Sequence, residues 1–442
     1  MLLPSRLVAI TALVSAVVLP PQAHATSIFV DPVTPFGDTA PLDRNHPARS
    51  DVANAGMMPP TFPGSWSSSS QDLERLERLF QQPMETNLNT IRKSYLKRSI
   101  APIPWASDPY PAILDGINRR WTSDDPSAAE KYALAYGLDV TTFMDKASAS
   151  SGVDSKSMNE ACADSFRVFC GARAGKTSGY RMGQWEGMGH AWAAAAIKEP
   201  EPKCEVVKDG VTFKPYDIKA LLTQVYNDGN VPVVFLGARN NGGSTKTDKY
   251  ARFTDATMRD INPGLFHIAL VNSIGRFNQP LVMDSDPTEM VDTEVIYGYS
   301  ADVRQPDKAA RGGAYYGTSY YPFNSKAAFV TYVSMTVNVV HPYNHNILNS
   351  PTYKRTYVYL LELDDGLNII GGEWLSGSIG DSKLNHPDFV WIPAAKPATD
   401  AVGVTGLKYQ DVQGLLNASV NCVMLPPSTR TPTPVPSPTP TP

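Results

Sequence analysis

Between Trp185 and Ala196 the chain reads WEGMGHAWAAAA. Glycines and a histidine lead into an alanine-rich run, which predicts a helix starting close to Gly189. A cysteine at such a start serves as the nucleophile of acyl transfer, because the helix dipole and its unpaired N–H groups favour the thiolate. A histidine must then move the proton, and a carboxylate or amide must hold that histidine. The downstream half of this set is present as His267 in FHIALVNS and Asp284 in LVMDSD, seventeen residues apart. LFHIALVNSI alternates like a strand, and the turn-like GRFNQP follows it. The expectation is a hairpin that sets both side chains on one face. The thiol itself is missing, since position 189 is glycine. His190 lies about 100° further round a helix and points elsewhere. Cys204 falls beyond the helix and is better explained by a disulfide, and no geometric reason brings Cys170 to His267. Gln184 and Trp185 are upstream candidates to line an oxyanion pocket.

These residues need a scaffold, and the patterning predicts one. SSSSQDLERLERLFQQ supplies a cap and an amphipathic helix, with Leu73, Leu76, Leu79 and Phe80 toward one face. PSAAEKYALAYGLDVTTFMDKAS predicts a helix with Pro126 at its start, a stop near Gly137 and a second short helix. YDIKALLTQVYND is a third amphipathic segment, and VPVVFLGAR is a short buried strand. In AAFVTYVSMTVNVV, residues Phe329, Thr331, Val333, Met335, Val337 and Val339 share a face. TYVYLLEL and NIIGGEWL are further strands. Helices first and antiparallel strands later predict an α+β fold, a helical N-terminal half packed on a largely antiparallel sheet. No internal repeat is visible.

The two ends have a different composition. MLLPSR, the apolar LVAITALVSAVVL and Ala23-His24-Ala25 form the pattern of a signal peptide over residues 1–25, so a secreted, extracellular protein is expected. Neither this run nor any later one is long enough to span a bilayer comfortably. Residues 26–70 are rich in Pro, Ser, Thr and Asp, like a disordered leader or pro-segment. A folded domain over 71–425 follows, and then a Pro/Thr-rich tail over 426–442. The chain has 442 residues and a net charge of −4 without a basic block, which argues against nucleic acid as a partner. In an oxidising compartment the four cysteines, Cys162, Cys170, Cys204 and Cys422, suggest two disulfides. The close pair Cys162 and Cys170 is the first expectation among three connectivities. Asn417-Ala418-Ser419 is an N-glycosylation sequon, expected at the surface. The acidic residues Asp284, Asp286 and Glu289 make calcium a candidate ion, although a solvated turn accounts for them equally well. His341-Pro-Tyr-Asn-His345 has two histidines four apart, but Pro342 argues against a helix that would aim both at one metal. GARNNGGSTKTDKY lacks phosphate-loop spacing and fits a surface loop.

The long motifs in order are PSAAEKYALAYGLDVTTFMD, the HAW helix with EPEPKC, YDIKALLTQVYNDGNVPVVFLGAR, PGLFHIALVNSIGRFN, YYPFN, GGEWLSGS and HPDFVWIP. Together, from about Leu73 to about Ser419, the chain resembles the secreted transglutaminase elicitor family of oomycetes. The resemblance implies a papain-like, transglutaminase-like core. The implied activity is transfer of the acyl group of a glutamine side chain to an amine, usually lysine, with release of ammonia. Protein glutamine and lysine side chains would be its partners if it is active. It implies a G-x-C-H-A-W motif at Gly187–Trp192 with the nucleophile at position 189, and matches His267 and Asp284 to the family's histidine and aspartate. Three departures stand out. Gly189 replaces the thiol, Arg181 stands where a cysteine is expected, and Val291–Tyr299 lacks the family's Trp, Asn, Gln and Pro. FNQP at Phe277–Pro280 precedes Asp284 and is only a coincidence of turn residues. The implied function is that of an impaired transglutaminase-like protein. The alternative is a decoy, binding or structural protein at a host or cell-wall surface.

Overall fold

The computed structural model describes residues 69–153, 168–171, 180–183, 186–229, 231–237, 246–250, 252–254, 260–285, 291–342, 352–375 and 386–423. The chain opens with α1 (Ser69–Phe80), α2 (Leu88–Ser94), β1 (Lys97–Ser99), α3 (Ala128–Ala135) and α4 (Val140–Ser151). Then come β2 (Val168–Gly171), β3 (Tyr180–Gly183), α5 (Gly189–Lys198), β4 (Val206–Lys208), β5 (Val211–Phe213) and α6 (Pro215–Asp228). β6 (Val233–Gly237), α7 (Pro263–Leu270), β7 (Leu281–Asp284), β8 (Thr293–Val303), β9 (Asp307–Lys308) and α8 (Ala309–Gly312) follow. β10 (Phe329–Val340), β11 (Thr352–Leu363), β12 (Ile369–Trp374), β13 (Phe389–Pro393) and α9 (Tyr409–Asn421) complete it.

The helix ends follow from local chemistry. Ser127 caps α3 in a reciprocal box with Glu130, and Asp139 caps α4 through the Thr142 N–H. Pro126 therefore stands just outside α3, not within its first turn. Pro215 occupies the first turn of α6, where no N–H is needed.

One antiparallel sheet has the order β12-β11-β10-β8-β7-β13-β6, with β1 added along β8 and β9 along β10. Successive strand residues point to opposite faces, and both faces are covered at β6, β7 and β13, whereas β10 and the first half of β11 keep one face partly open. On one face Val282, Phe389 and Trp391 pack with residues of α3, α4, α5, α6 and α9. On the other, Leu281, Met283, Val390 and Ile392 pack with residues of α1, α2 and α7. The fold is α+β as expected, built as helices on either side of a sheet.

The reading of LFHIALVNSI as a strand is corrected. Pro263–Leu270 is a helix, continued by a π-helical turn over Val271–Arg276. All eight residues of α7 are buried. An apolar run buried on every side carries no usable period, so alternation within it has no meaning. The informative signal was Asn262-Pro263. The Asn262 side chain accepts from the Gly264 N–H, and Pro263 takes the first helical position.

Cys204 is joined to Cys422, with Cα atoms 5.3 Å apart. The Cys162–Cys170 expectation lies outside the described residues. Asn417 is exposed but sits within α9, not in a loop, and its sequon partner Ser419 is fully buried. Among the described residues no helix is long and apolar enough to cross a membrane.

Candidate active site

Helix α5 starts at Gly189, the position the motif assigned to a nucleophile. The alanines provide helix propensity, and the turn before them provides the start. Met188 donates its N–H to the Pro109 carbonyl at 2.8 Å, and its own carbonyl accepts from Trp192 N at 2.9 Å. Pro109 is presented by a strained turn. Tyr110 has φ 49°, and its N–H donates to the Asp108 carboxylate at 2.7 Å. No side chain of the capping residue Met188 bonds to the first turn of α5. The dipole and N–H groups of a helix start are the features that stabilise a thiolate in an acyl-transfer enzyme. Gly189 supplies no atom to use them.

The far end of α5 is anchored by buried polar contacts. Trp192 Nε1 donates to the Trp105 carbonyl at 3.1 Å, and Trp105 Nε1 donates to the Glu199 carbonyl at 3.0 Å. The Glu199 carboxylate accepts from Tyr226 Oη, Tyr409 Oη and Lys396 Nζ. His190 is buried within the helical layer, and burial pulls its pKa down to about 3, so the ring is neutral.

Asp284 closes β7 and is buried. It has the strand parity of Val282, so it belongs to the face that α5 covers. Its Oδ1 accepts the Asp292 N–H at 2.8 Å. Its cross-strand partner is Thr293. Thr293 Oγ1 and Trp391 Nε1, on this same face, are buried without hydrogen-bond partners among the described residues. Helix α5 packs against β7, β8 and β13, the strands that carry these groups.

His267 is elsewhere. It lies on α7, fully buried against the opposite face of the sheet. Its Nδ1 is 2.8 Å from Tyr359 Oη, and Tyr359 belongs to that second core. Its Nε2 has no hydrogen-bond partner among the described residues. Burial lowers its pKa to about 3. The hairpin that was to bring His267 and Asp284 to one face is therefore corrected. The structure gathers position 189 and Asp284 on one side of the sheet and leaves His267 on the other.

Asp108 was missed by sequence reasoning. It neighbours the residue that holds the start of α5, and burial raises its carboxyl to about 6 against the pull of the Tyr110 N–H and Arg119. The only signal was the turn-rich, aromatic character of residues 101–125. Of the acidic group considered for calcium, Asp286 and Glu289 lie outside the described residues, as do Gln184 and Trp185.

Three comparisons place the chain. A family model described as "Transglutaminase elicitor" matches residues 72–422. Among solved structures, the chain is similar to the GP42 transglutaminase from Phytophthora sojae, with 36% identity and a TM-score of 0.68. The match covers 80% of this chain and 99% of that one. No curated protein matches. The family match takes in α5, the sheet and both cysteines of the Cys204–Cys422 bridge, and on it this chain belongs to the transglutaminase elicitor family.

Proposed function

We propose that this chain is a secreted transglutaminase-like protein that has lost acyl transfer and acts by binding at a host or cell-wall surface. The observation that carries the reading is glycine at the first residue of α5. Acyl transfer from glutamine needs a nucleophile there to form the thioester and expel ammonia. Losing the nucleophile of a coupled catalytic group costs on the order of 10⁶ in turnover, and backbone N–H groups alone do not replace covalent chemistry. Cys204 offers no substitute, because its sulfur is bonded to Cys422. The helix still starts at this position and packs on the strand that carries Asp284, which supports descent from an active enzyme.

The test is incorporation of a fluorescent primary amine into a glutamine-bearing protein, measured for the natural chain beside Gly189→Cys. The expected result is no incorporation by the natural chain above the protein-free blank. Incorporation by the natural chain overturns the reading. Activity that arises only in Gly189→Cys supports it by identifying the thiol as the lost component.

A further inference from the structure

At the end of the sheet where β8 begins and β10 finishes, Asp292, Glu294 and His341 turn one ligand atom each toward a common point. These three atoms lie within 4.8 Å of one another. His341 Nδ1 is 3.3 Å from Glu294 Oε1 and 3.7 Å from Asp292 Oδ1. In a tetrahedral site with metal–ligand bonds of about 2.0–2.1 Å, ligand atoms stand roughly 3.3–3.4 Å apart. The His341–Glu294 pair already has that spacing, and the group as a whole must close from separations of up to 4.8 Å to reach the full arrangement. Glu294 is 2% exposed at its side chain, His341 11% and Asp292 19%, so the point is largely buried and opens on the Asp292 side. Asp292 Oδ1 is buried and has no hydrogen-bond partner among the described residues.

We propose that Asp292, Glu294 and His341 bind a divalent first-row transition metal of the zinc type, with water in the remaining position. One imidazole and two carboxylates suit zinc and its neighbours, whereas calcium takes oxygen ligands. Ligating carboxylates of metal sites are themselves held by outer hydrogen bonds, and both carboxylates here have such contacts. Arg355 Nε and Nη2 hold Glu294 Oε2 and Oε1 at 2.6 and 2.7 Å. Ser285 Oγ donates to Asp292 Oδ2 at 3.0 Å. Arg355 Nη2 is also 3.4 Å from Asp292 Oδ2. Its charge opposes a cation, which moderates affinity, while its bidentate grip fixes the carboxylate that the metal would use. The ring of Tyr353 stands edge-on to His341 at 6.2 Å. Binding would cross-link the ends of β8 and β10 and immobilise Asp292, whose N–H holds Asp284. The site does not depend on whether position 189 supports catalysis.

The test uses the full chain, stripped with chelator, dialysed against zinc and passed over a desalting column. Zinc content is compared with His341→Gln, which removes bound metal at any other site from the difference. The natural chain should retain about one equivalent more than the variant, and zinc should raise the melting temperature of the natural chain only. Cobalt should give a visible d–d absorption in the natural chain that is lost in Glu294→Gln. Equal zinc contents in the natural chain and His341→Gln would overturn the proposal. So would a natural chain that shows neither the zinc-induced rise nor the cobalt band, since neither of those measurements depends on a variant folding.

Discussion

His267 is a neutral imidazole shut between α7 and the sheet, and two consequences of that position can be measured. Its folded-state pKa of about 3 lies below the unfolded value of 6.5. The neutral ring therefore contributes stability above pH 6.5, and that contribution drains away as pH falls toward 3, at up to about 1.4 kcal/mol per pH unit. Gln at 267 can still bond to Tyr359 Oη but does not titrate. His267→Gln should cost about 1–2 kcal/mol at pH 7, and the deficit should shrink or reverse by pH 4. Urea denaturation at several pH values reads this directly, and a deficit independent of pH would contradict a buried neutral histidine. The second consequence concerns chemistry. If Gly189→Cys incorporates amine, adding His267→Gln should change kcat by no more than roughly threefold, whereas loss of a true catalytic partner costs about 10³ or more. Gly189 itself was readable from sequence because a motif has a fixed spacing. The side of the sheet on which His267 lies was not readable, because residue order does not encode which face a helix covers.

At the scale of elements, legibility followed exposure. β10 was readable because one face carries Val333, Met335, Val337 and Val339 into the core while Thr336 and Asn338 alternate between them. α1 was readable for the same reason, with Leu76 buried and Leu73, Leu79 and Phe80 packed beside it. α7 was opaque because water touches none of it. What positions α7 is a glycine contact. A Cβ on Gly264 would stand 2.5 Å from the Gly371 carbonyl oxygen, and one on Gly372 would meet the Leu360 carbonyl oxygen at 2.5 Å and Gly264 N at 3.0 Å. These neighbours are backbone and cannot rotate away. Gly372→Ala should destabilise the fold by about 1–3 kcal/mol or more through forced displacement of β12 from β11 and from α7. Gly414 is the contrast. It lies exposed within α9, and a Cβ there meets nothing within 4 Å. Gly414→Ala should stabilise by about 0.5–1 kcal/mol, because alanine loses less backbone freedom in a helix. Thermal or urea unfolding of the two variants should move in opposite directions. A shared direction would mean that the close approach at Gly372 does not fix the helix.

Across the whole molecule, the chain does not finish the layer that carries α5 until its last helix returns. Val412, Leu415 and Leu416 of α9 complete the core that α3 to α6 began, after the sheet has been laid down between them. Helices early and strands late made the α+β class legible, but the return of α9 was not, because an amphipathic helix does not reveal its docking partner. The cysteines carried the missing information only in part, since four of them leave three pairings open. The bond between Cys204 and Cys422 spans 218 residues and fastens α9 just beyond the end of α5. Ser419 adds a second clasp, as its Oγ accepts from Lys203 N and Cys204 N and donates to the Cys204 carbonyl at 2.6 Å. The loop is long enough that chain entropy alone gives about 5 kcal/mol for the covalent link, an upper figure because the unfolded chain retains some structure. Cys204→Ala combined with Cys422→Ala should therefore lower unfolding free energy by about 2–5 kcal/mol, while circular dichroism of the native state stays unchanged. Hydrogen exchange should quicken first at the Cys422 end of α9, since Tyr409 and Asp411 keep the other end bonded to Glu199, Tyr132 and Tyr136. An unchanged urea midpoint would show that those noncovalent contacts alone keep α9 in the α5 layer.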